Sequence, residues 1–183
     1  MDGSNYAWIV YDSQEQPLGI VSYSLDNDVV LGTAELDTDA GPIDWVSASA
    51  TGNYVVAGHW SGTIAYDADM SDPRYMNRKA EHSDLALDAN GNDAYVYVDF
   101  GNSPTAGWIV SVDMETLERT RMVRLYGGAN TSIHISGKGF NKPGWVIVSS
   151  YNCKDPGAWS CEKVFALEIA EEGRLLNLSL IHI

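Results

Sequence analysis

The sequence predicts an all-β chain, a fragment of a β-propeller made of parts of four four-stranded antiparallel blades. Three observations carry this. Short runs alternate β-branched or aromatic residues with polar ones and are bounded by Gly, Asn, Asp and Pro, which is the strand signal. No window sustains apolar spacing of three and four over eleven residues, so helix is nearly absent. Strand-turn-strand units recur with a period of about 40 to 50 residues, and four-stranded units at that period belong to propellers, whose blades bury both faces against neighbours. A sandwich or solenoid of short strands is the competing architecture.

The elements follow in order. Residues 6–11, 20–24 and 29–31 read as strands two to four of a unit lacking its first. Residues 45–58, 84–98 and 134–149 each read as strand, turn, strand, with 62–67, 107–113 and 163–168 as the third strands and a more polar fourth closing each unit. In this register Trp45, Asp84 and His134 are equivalent. Asn90-Gly91 is the favoured two-residue hairpin turn, and Thr51-Gly52 sits at the same place. The oxygen-rich run 88–93 lacks the spacing of a calcium loop, and Gly137, Gly139 and Gly144 precede no helix that could hold a phosphate, so both are read as turns.

Eleven Lys and Arg against 25 Asp and Glu give a net charge of −14, which repels phosphate backbones and anionic lipid heads. Nucleic acid and membrane surfaces are therefore poor candidate partners, and no run approaches the roughly 18 apolar residues of a membrane span, so no membrane insertion is expected. With 45% hydrophobic and 10% aromatic residues the chain is a folding one, and no linker divides it. Its last six residues, 178–183, resemble the translation of a transposon mosaic end used as a sequencing adaptor. The expected organisation is an incomplete propeller domain over 1–177 followed by a non-native tail, with the native protein continuing past Asn177. Absence of a signal peptide is then uninformative.

Cys153 and Cys161 lie in one loop with Pro156-Gly157 between them, so a disulfide closing that loop is expected, unpaired thiols being the alternative. Bridges belong to oxidising compartments, which points to a periplasmic or extracellular location.

Propeller geometry gathers the loops between second and third strands, and the starts of first strands, on one face. That face would carry His59, Trp60, Asp99, Phe100 and Trp159 as ligand-binding candidates, and His82, Asp84 and His134 as metal candidates. Two-residue turns would set His82 opposite Asp99 and Asp44 opposite His59, each imidazole oriented by a carboxylate. Such pairs serve either a metal or proton-transfer site or the tying of blades to one another.

Residues 134–151 with 163–169, and 81–91, resemble secreted bacterial propeller proteins, some of them distantly similar to oligogalacturonate lyases. The resemblance implies an exported binding or scaffold module for carbohydrate or protein. The alternative it implies is a metal-dependent polysaccharide lyase, with a divalent metal as cofactor and a base removing the proton beside a uronate carboxylate. A polyuronate site also wants Arg and Lys, which are few here. Lys138 and Lys142 lie on the opposite face.

Overall fold

The computed structural model describes residues 5–35, 41, 43–59, 61–77, 83–99, 107–124, 132–136, 142–151, 163–169 and 179–180. The regular structure among them is all β, in four antiparallel sheets. The chain divides into two compact units, Met1–Ala80 and Glu81–Ile183.

In the first unit, β1 (Asn5–Tyr11), β2 (Pro17–Ser24) and β3 (Val29–Glu35) form sheet I in the order β1-β2-β3. Sheet II is β4 (Ile43–Ala48), β5 (Tyr54–His59), β6 (Gly62–Asp67) and β7 (Arg74–Asn77), again in chain order. Alternation sends Ala7, Ile9 and Ile20 of sheet I to one side, where they meet Val55, Ala57, Ile64 and Tyr66 of sheet II in one apolar cluster. Sheet I has three strands as expected, and the first strand of every other sheet has no counterpart beside β1 among the described residues.

The second unit repeats the plan. Sheet III is β8 (Asp84–Leu87), β9 (Asp93–Val98), β10 (Trp108–Asp113) and β11 (Arg119–Arg124). Sheet IV is β12 (Ser132–Ser136), β13 (Trp145–Tyr151), β14 (Lys163–Glu168) and the short β15 (Ser179–Leu180), the last falling within the segment expected to be non-native. Val96, Val98 and Ile109 of sheet III pack on Ile135, Val146, Val148 and Leu167 of sheet IV. Burying a Val, Leu or Ile side chain is worth about 1.5–3 kcal/mol, so these intersheet layers are where each unit gains its stability.

The registers show how close the repeat is. Ser24, Asp67, Asp113 and Glu168 end the third strand of their units, and they pair with Asn5, Tyr54, Ala94 and Trp145 in turn. Counting from those pairs, Ala7 corresponds to Val56, Val96 and Ile147, and Ile20 to Thr63, Ile109 and Val164.

One expected turn is corrected. The β8–β9 connection is a three-residue loop, Ala89, Asn90 and Gly91, closed by Asp88 N–H to Asn92 O at 2.8 Å and Gly91 N–H to Asp88 O at 3.1 Å. Gly91 takes φ +88°, the left-handed residue of a type I turn with a G1 bulge. The cause is Asp88, whose Oδ1 accepts both the Asn90 and the Asn92 N–H at 2.8 Å and so favours this turn over a tight Asn-Gly hairpin. Asp12 does the same for Gln14 and Gln16, also at 2.8 Å, with Glu15 at φ 59°. Four residues, 50–53, join β4 to β5, where two were expected.

Candidate ligand-binding cleft

At the turn ends of sheets III and IV a cleft of about 410 Å³ opens in the second unit. Its charged lining is five carboxylates, Asp88, Asp93, Asp113, Glu118 and Glu168, with Ser111 and Thr120 beside them. Among the described residues no Lys, Arg or aromatic residue lines it. The carboxylates are there because turns want them. Asp88 closes the β8–β9 turn, and Asp113 closes β10–β11 by accepting from the N–H of Glu115 at 3.0 Å, the N–H of Thr116 at 2.7 Å and the Thr116 hydroxyl at 2.9 Å. The Thr116 N–H, helped by its hydroxyl and by Glu115, holds the Asp113 carboxyl below the usual carboxylate range against the opposing effect of partial burial. Asp113 is therefore ionised and fixed in direction. Asp93 is buried at the start of β9, Glu118 is exposed, and Glu168 is half-buried at the end of β14. The sequence reading takes the run 88–93 as a turn and gives Asp113, Glu118 and Glu168 no role in a site. The signal that could have found it is the placement of an acid at corresponding strand ends in successive units.

The residues singled out from the sequence are distributed otherwise. His59 is buried, its Nδ1 lies 3.2 Å from the Gly41 carbonyl oxygen, and its Nε2 has no hydrogen-bond partner. The expected Asp44–His59 pair does not form, because the β4–β5 register shifts between Ile43 and Trp45 and sets Ile43 opposite His59. Asp44 is instead the extra residue of that irregularity. Asp99 is buried at the end of β9, where its N–H donates to the Trp108 carbonyl at 3.0 Å and its own carbonyl accepts from Gly107 at 2.7 Å. The expected His82–Asp99 pairing rests on the two-residue turn. The three-residue loop shifts the register by one, pairing Asp84 with Val96 rather than with Tyr97.

Asp84 is half-buried and its Oδ1 accepts the Leu85 N–H at 2.8 Å. Its pairing also corrects the equivalence read from the sequence. Val96 corresponds to Val56 and Ile147, which pair with Ser47 and Ser136, so Asp84 is level with those serines and two residues along from the level of Trp45 and His134. His134 pairs with Ser149 in β12–β13, and its side chain lies outside the described set. His82, Trp60, Phe100, Trp159, Cys153 and Cys161 lie outside the described residues. Among the described residues no group of three or more His, Cys, Asp or Glu side chains could hold a metal ion, and no helix is long and apolar enough to cross a membrane. Lys142 is exposed, with its Nζ 4.4 Å from the Trp145 ring centroid in a cation–π contact.

No protein-family model and no characterised protein matches the sequence. Among solved structures, a nidogen/laminin complex is similar with a TM-score of 0.55 at 12% identity, covering 94% of this chain and 59% of that one. A complex of KlAtg21 with the coiled coil of AgAtg16 is similar with a TM-score of 0.54 at 9% identity, covering 100% of this chain and 55% of that one. The similarity is distant and shows the fold, an all-β arrangement of propeller type, and no particular bacterial or lyase family. The chain spans a little more than half the length of these structures.

Proposed function

We propose that this chain is a binding module of propeller type, without catalysis of its own, and that the cleft of the second unit takes a cationic segment of a partner protein. The observation that carries this is a cleft of ligand size whose described lining holds five carboxylates and no cation. Asp88 and Asp113 are already held by their turns, so they lose little freedom on meeting a Lys or Arg. A net charge of −14 raises the local concentration of cationic partners and speeds their encounter. The described residues of the lining offer no aromatic face for a sugar ring, which favours the protein ligand over the carbohydrate one. The lyase alternative needs a metal and basic groups to receive a polyanion, and the described residues supply neither at this site. Export to an oxidising compartment belongs to the same proposal and rests on the bridge expected between Cys153 and Cys161.

The test is a calorimetric titration with a short Lys/Arg-rich peptide, run beside a neutral glucan oligosaccharide and an oligogalacturonate. Peptide binding is expected to weaken with added salt and to fall at least tenfold in the double variant Glu118→Gln, Glu168→Gln. Peptide affinity indifferent to both, or cleavage of the oligogalacturonate with added divalent metal, overturns the reading.

A further inference from the structure

Asn90 is the one asparagine of the chain followed by glycine, and glycine alone puts no side chain in the way of its own backbone nitrogen. Asn90 is exposed, its N–H donates to Asp88 Oδ1 at 2.8 Å, and no described residue bonds its side-chain amide. Three other asparagines have that group engaged. Asn5 Nδ2 donates to the Gly52 carbonyl oxygen at 3.0 Å, Asn27 Nδ2 to Ser24 Oγ at 3.1 Å and Asn92 Nδ2 to Asp88 Oδ2 at 3.2 Å. A Cβ built on Gly91 meets nothing within 4 Å, so the space beside the Asn90–Gly91 peptide is open. The Gly91 N–H donates to the Asp88 carbonyl oxygen at 3.1 Å, and that bond must break before the nitrogen can react. Opening a turn at an exposed loop tip costs little.

We propose that Asn90 is a self-modification site and that its conversion adds a carboxylate to the cleft of the second unit. The Gly91 amide gives up its proton to solvent base and its nitrogen attacks Asn90 Cγ. The new C–N bond forms as the bond from Cγ to Nδ2 breaks, and ammonia leaves. Water then opens the cyclic imide at one of its two carbonyls. Opening at Cγ gives aspartate, and opening at the main-chain carbonyl gives isoaspartate, with one more carbon in the backbone of the turn. The net change is amide and water to carboxylate and ammonium, with no oxidant or reductant. Asn90 lines the cleft with Asp88 and Asp93, so either product sets a further negative charge beside the five already there. The effect on binding rests on the reading of this cleft as a receptor for a cationic segment, whereas the chemistry does not.

Peptide mapping by mass spectrometry tests the chemistry on the full chain aged in mildly alkaline buffer. The amide-to-acid mass shift is expected at Asn90 before any other asparagine, with fragmentation placing it there and not on Asn92. The product is expected to be a mixture of aspartate and isoaspartate, and Asn90→Gln is expected to show no shift at this position. For the charge, Asn90→Asp is expected to bind the Lys/Arg-rich peptide about two- to fivefold more tightly than Asn90→Gln at low salt. Conversion first at another asparagine, or ageing without conversion, overturns the modification. Equal binding by Asn90→Asp and Asn90→Gln overturns the role of the added charge. Failure of both variants and of the wild type to bind the peptide overturns the reading of the cleft, and leaves the mapped conversion standing.

Discussion

Gly32 of β3 lies so close to the backbone of Asp69 that a Cβ atom on it would fall 1.8 Å from the Asp69 carbonyl oxygen. No side-chain rearrangement relieves a clash with a main-chain atom, so the approach of β3 to the β6–β7 turn requires glycine at this position. Gly32→Ala is expected to destabilise the first unit by about 3 kcal/mol or to prevent its folding, read by urea unfolding. Gly91→Ala is the control. A Cβ there meets nothing within 4 Å, so only the left-handed φ of +88° is strained and the expected cost is about 1–2 kcal/mol.

Asp113 makes part of the stability acid-sensitive. Its folded pKa lies below the ordinary value of 3.8 because Thr116 and Glu115 donate to the ionised form. The contribution is therefore complete above that value and is lost as the pH falls through the lower folded one. Asp113→Ala is expected to cost about 1 kcal/mol at neutral pH and to flatten the acid limb of a thermal-melt series. An acid limb identical to the wild type would show that the turn does not draw on the charge.

Tyr97 acts at the other end of the scale. Burial raises its phenol above 10.0, with Asp99 adding to the shift and Arg119 opposing it. The neutral ring is what the fold accommodates, so this contribution is present below about pH 10 and is lost as the pH rises through the folded value. Absorbance titration at 295 nm is expected to show a late-ionising tyrosine that Tyr97→Phe removes.

In the core of the second unit the Tyr95 hydroxyl donates to Ser83 Oγ at 2.7 Å, both residues buried. Tyr95→Phe keeps the ring and takes away that bond, with an expected cost of about 1–2 kcal/mol by urea unfolding. Tyr95→Phe with Ser83→Ala, which removes both partners, is expected to recover part of the loss.

The disulfide expected between Cys153 and Cys161 predicts no reactive sulfhydryl when unfolded, unreduced protein from an oxidising compartment is titrated with a thiol reagent. Two reactive thiols would remove the bridge and the argument for export that depends on it.

The fold class was legible in the sequence because alternation and turn chemistry are local. Ala7 and Ile9 alternate with Tyr6 and Trp8 whatever surrounds them, and the recurrence of that pattern specifies sheets stacked face to face. Register and exposure are not local, and tertiary structure decided both. The Asp88 carboxylate binds two backbone N–H groups, lengthens a turn by one residue and so moves every residue of β8 relative to β9, pairing Asp84 with Val96 rather than with Tyr97. A register irregularity at Asp44 set Ile43 opposite His59. The acids of the cleft, each explicable as a turn residue, come together only because sheets III and IV bring their strand ends side by side. Trp8 is 47% exposed while Ala57, Tyr97 and Val148, at the same place in the alternation of β5, β9 and β13, are buried, because burial is set by what packs on a strand and the strand's own pattern does not encode that.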